Sequence, residues 1–150
     1  MRRRPALLIV AAFGAFVFLG LSFLLARGLA GSSAERGKVL DVLRYQAQGD
    51  AAAVLAQLPA CRAEPACVQV TRTRVARLAR PGAVQILNYE PSVRLSLTRR
   101  TGTGRVAWRA GESRPVVQCV RVRREGPLTG GGAQLIALSN PIGLEESCTG

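Results

Sequence analysis

Four cysteines, Cys61, Cys67, Cys119 and Cys148, carry most of the reactive chemistry of a 150-residue chain that has no histidine. An even count in an oxidising compartment reads as two disulfides. Four cysteines allow three pairings. Cys61 and Cys67 bracket the short loop RAEPA. That leaves Cys119 and Cys148 to tie the C-terminal tail back onto a strand. In the chain-entropy model the short loop contributes about 2 kcal/mol and the long one about 3–4 kcal/mol. Metal binding is the competing reading. With no C-x-x-C and no histidine, a zinc site is disfavoured, and neither metal nor cofactor is expected.

Acid–base chemistry has few candidates. Asp41 and Tyr45 stand at i,i+4, where side chains on one helix meet. With Glu90 or Asn88 they form the one enzyme-like set available, as polar groups of a pocket. A tyrosine hydrogen-bonded at the edge of a core explains Asp41 and Tyr45 equally well. Neither a nucleophile elbow nor a P-loop occurs, and TGTG and TGGG read as hairpin turns. No catalytic residue is assigned, and a non-enzymatic role is expected.

The N-terminus poses a different chemical question. Residues 29–32 read LAGS, where a bacterial lipoprotein signal would end in cysteine; Ser32 cannot take the lipid. Residues 5–26 before it carry no charge and one hydroxyl, Ser22. A helix of that length spans about 33 Å, against about 30 Å of hydrocarbon core. Arg2, Arg3 and Arg4 precede the run, and Arg27 alone follows closely. These features predict an uncleaved signal anchor: basic cytoplasmic residues 1–4, a transmembrane helix over 5–26, a linker over 27–33 and an extracytoplasmic domain over 34–150. The small residues at Gly28-Leu29-Ala30 and Ser32-Ser33-Ala34 would allow cleavage and secretion instead. The apolar run is longer than a signal peptide needs.

The net charge is +12, nearly all arginine, with Lys38 the single lysine. The positive balance points to anions: lipid head groups, surface polymers or nucleic acid. An arginine-rich solvated surface explains the same charge. Nucleic acid would want aromatic platforms, and beyond residue 26 there are only Tyr45, Tyr89 and Trp108, so nucleic acid is not expected. TRTRVARLAR reads as a helix with a solvated basic face.

Around these residues the elements follow from pattern. SSAERGKVLDVLRYQAQ predicts a helix opened by an S-x-x-E capping box at Ser32 and Glu35, with Val39, Leu40, Leu43 and Ala47 as its apolar stripe. Gly49 stops it, and Asp50 caps a second helix, AAAVLAQL. Pro65 opens a third helix to Arg80, closed by Pro81-Gly82; the β-branched Val68, Val70 and Thr71 leave a strand possible. AVQILNYE, SVRLSLT, GRVAWRA, PVVQCVRVRRE and AQLIALS then alternate with period two. In the clearest strand Val116, Gln118, Val120 and Val122 share one face, and Val117, Cys119, Arg121 and Arg123 the other. The first must meet the helices. Arg121 and Arg123 must meet water or an anionic partner, because buried unpaired charge costs several kcal/mol. Helices first and strands after them mean α+β. The expected architecture is a transmembrane helix, then two or three helices packed on a curved antiparallel sheet of four to five strands, burying Leu95, Trp108 and Val120 against the first helix.

VLDVLRYQAQGDAAAVLAQL, with its Gly49-Asp50 break between two helices, resembles the opening of nuclear transport factor 2-like (cystatin-like) domains. The resemblance implies a cone of helices and curved sheet whose mouth can hold a small molecule. Some bacterial relatives are membrane-anchored scaffold subunits of secretion machines, and others are isomerase-like enzymes or ligand-binding modules. Fold alone does not choose among these. The expected function is a single-pass, non-catalytic extracytoplasmic module that binds a protein, an anionic surface polymer or a small ligand. The alternative is an isomerase- or dehydratase-type enzyme.

Overall fold

The computed structural model describes the chain over residues 3–91, 101–124 and 132–148, with side chains over 9–25, 33–91, 101–123 and 132–148. The order is α1 (Arg3–Gln48), α2 (Ala51–Ala56), α3 (Pro59–Arg62), α4 (Pro65–Leu78), β1 (Val84–Glu90), β2 (Thr101–Ala110), β3 (Val116–Arg124) and β4 (Ala133–Leu138). The four strands pair antiparallel in the order β1-β2-β3-β4. The α+β organisation is therefore as expected.

The transmembrane helix is not. Among the described residues no helix is long and apolar enough to cross a membrane. The expected linker over 27–33 is also absent as a break, because α1 is a single 46-residue helix. Gly28 and Gly31 cost a helix about 1 kcal/mol each, but they keep their backbone donors, so helical neighbours carry through them. Ser32 is consequently interior to α1 rather than at a helix start. Glu35 is 1% exposed on the core face, where it accepts the hydroxyl proton of Tyr89.

The C-terminal half of α1 behaves as its pattern requires. Val39, Val42, Leu43 and Ala47 are buried, while Leu40 is only half-buried. The helix ends at Gly49, whose φ of 79° suits glycine. Gly49 N donates to Gln46 O at 3.1 Å and Asp50 N to Tyr45 O at 2.9 Å, the paired bonds of a Schellman turn. Asp50 then accepts from Ala53 N at 2.8 Å and caps α2. Pro65 occupies the first turn of α4, which is helix rather than strand. The four-residue α3, which carries Cys61, has no counterpart in the sequence pattern.

The sheet departs from expectation in one place. TGTG is not a turn but the start of β2, with Thr101, Gly102, Thr103 and Gly104 opposite Arg123, Val122, Arg121 and Val120. Pairing along the strong β3 overrides the local turn preference of glycine. SVRLSLT, including Leu95, lies outside the described residues, as does most of TGGG. The remaining faces fall as read. Val106, Trp108, Val116, Val120 and Val122 pack with the α1 stripe, Val54, Leu58, Val75 and Leu78 in one core.

Candidate functional site

Both disulfides form as paired above, Cys61–Cys67 and Cys119–Cys148. The second has a consequence for the sheet surface. It holds the tail alongside β3 beyond β4, where Ile142 N donates to Val117 O at 2.8 Å and Ser139 Oγ accepts from Cys119 N at 2.8 Å. Val117, expected to face water, is thereby 2% exposed. Arg121 and Arg123 lie beyond the reach of this cover and are exposed.

The register widens this pair into a basic surface. Arg105 stands opposite Cys119 and Thr103 opposite Arg121, so Arg105 and Arg109 on β2 share the outer face with Arg121 and Arg123. Arg105 is partly engaged: it meets Glu90 at 3.7 Å and donates to the Leu144 carbonyl. Arg109 donates to Gln85 Oε1 at 3.1 Å. No ion pair among the described residues involves Arg121 or Arg123.

The members of the enzyme-like set are engaged by other residues. Asp41 is exposed and pairs with Arg44 at 3.4 Å. Tyr45 packs against the core. Glu90 faces Arg105 on the outer surface. The buried polar groups are different ones. Trp108 Nε1 donates to Gln118 Oε1 at 2.8 Å, and Gln46 Nε2 donates to the same oxygen at 2.9 Å. Gln118 Nε2 donates to Ser139 O at 2.8 Å. Gln46, Trp108 and Gln118 are fully buried. This network joins α1, β2, β3 and the tail, and every bond in it satisfies a group that would be costly to leave alone. Gln118 was legible as a core-face residue; its partner Gln46, 72 positions away, was not.

A second basic feature lies on the helical side. A pocket of about 460 Å³ opens between α4 and the segment after β4, with Gln69, Thr73, Arg74, Arg77 and Asn140 as polar lining and Val70 and Leu78 as apolar wall. Arg74 is 6% exposed. It donates to the Leu138 carbonyl through Nη1 and to Thr71 Oγ1 at 3.3 Å through Nη2. Burial lowers its pKa from the ordinary arginine range. This burial was not legible from the pattern of α4, which reads as a helix with a solvated basic face.

No family model, curated protein or solved structure matches the chain.

Proposed function

We propose that this chain is a non-catalytic extracytoplasmic binding module whose sheet presents arginines to an anionic partner. The observation that carries the reading is the β2–β3 register, which sets Arg105, Arg109, Arg121 and Arg123 on one face while the other face fills the core. The tail covers Val117 yet leaves Arg121 and Arg123 open. Both disulfides favour an oxidising compartment. Asp41 is paired with Arg44 and Glu90 with Arg105, which supports binding over catalysis. Lipid is the natural surroundings of the exposed apolar side chains over 9–25, among them Phe13, Phe16, Phe18 and Leu21.

The test uses the full chain and a soluble polyanion, dextran sulfate, so that lipid contact does not enter. Arg121→Ala with Arg123→Ala should weaken binding about fivefold at low salt, two contacts of about 0.5 kcal/mol each. The difference should shrink as salt is added. Unchanged binding at low salt would remove the sheet face as the site. Lipid contact is tested separately: the full chain should float with neutral phosphatidylcholine vesicles in high salt. Recovery in the soluble fraction would refute it.

A further inference from the structure

We propose that the pocket between α4 and the segment after β4 is a binding site for a small amphipathic anion, one carrying a carboxylate or phosphate on an apolar body. Arg74 is the first reason. Its side chain is buried, and among the described residues its guanidinium donates only to a carbonyl and a hydroxyl. Its Nε is buried and has no hydrogen-bond partner among the described residues. No carboxylate among the described residues pairs with it. A buried cation without a counter-charge is costly, and an anion in the adjoining pocket would supply one.

The lining is the second reason. Arg77 follows Arg74 by three residues on α4 and borders the same pocket, so among the described residues two cations and no acid face the space. Gln69 and Asn140 bring amide donors from opposite walls. The Thr73 hydroxyl already donates to Gln69 O at 3.1 Å and adds no donor. Val70, half-exposed, and Leu78 give the anion's apolar body a surface to cover. The volume, about 460 Å³, falls in the range of small-molecule sites, roughly 300–1,000 Å³. This site lies on the helical side, away from Arg121 and Arg123, and does not depend on the sheet face.

The experiment follows the arginine Nε–Hε resonances of the full chain, ¹⁵N-labelled in a neutral detergent, during titration with hexanoate, hexyl phosphate or neutral hexanol. Either anion should move the Arg74 and Arg77 resonances saturably, and hexanol should not. The tighter of the two anions identifies the head group as carboxylate or phosphate. Arg77→Gln, at an exposed position, should keep the melting temperature and weaken the anion roughly tenfold, the loss of one charge-assisted contact. Arg121→Gln should leave binding intact. The proposal is overturned if neither anion moves Arg74, if hexanol moves it equally, or if Arg77→Gln binds as tightly as the parent.

Discussion

The two faces of β3 are made by the same nine residues and live under opposite rules. On the inner face every side chain is committed: Val116, Val120 and Val122 to apolar packing, Gln118 to four hydrogen bonds. On the outer face the commitment is graded. Val117 is sealed by the tail, Cys119 is tied to it, and Arg121 and Arg123 are open. Alternation alone separates the faces; only the tail divides the outer one into a structural half and an available half.

Substitutions along this strand test the contrast, and the effects should fall steeply. Val120→Asp should unfold the domain. It loses about 1.5–3 kcal/mol of burial and adds a buried charge worth several more, against a stability of about 5–15 kcal/mol. Loss of the cooperative thermal transition would show it; a folded variant would mean the faces are inverted. Removing the outer tie, with Cys119→Ala and Cys148→Ala together, should cost about 3–4 kcal/mol. Denaturant titration would read that cost, and amide exchange at Val117 should accelerate as its cover loosens. Gln118→Leu keeps the volume but strands Trp108 Nε1 and the Gln46 amide, at about 2–3 kcal/mol. A smaller loss would mean that those groups find other partners. Arg121→Ala and Arg123→Ala should each stay within about 0.5 kcal/mol, and a larger loss would place those arginines in the structure's own support.

How much of this was legible follows the range of the interaction. The Gly49-Asp50 break, the Pro65 helix start and the alternation of β3 are written within a few residues, and all appear where read. The disulfides followed from elimination among three pairings. What escaped depends on distant partners. TGTG is strand because β3 lies beside it, Glu35 is buried because Tyr89 meets it, and Gln46 is core because Gln118 answers it. Arg74 looked like one more solvated arginine, and only the packing of α4 near β4 makes it a buried cation. The expected membrane span failed for a related reason. The apolar run is read from composition, whereas α1 passes beyond it into the core with no boundary of its own.

That continuity fixes an angle. Because α1 runs unbroken from Arg3 to Gln48, whatever holds its first half also sets the direction in which the sheet faces. Each residue of an α-helix advances about 100° around the axis. Two residues inserted near Gly28 would swing the arginine face about 200°, to the far side of the rod. Four would return it to within about 40° of where it began. The helix therefore acts as a shaft, and its length in residues is also a phase.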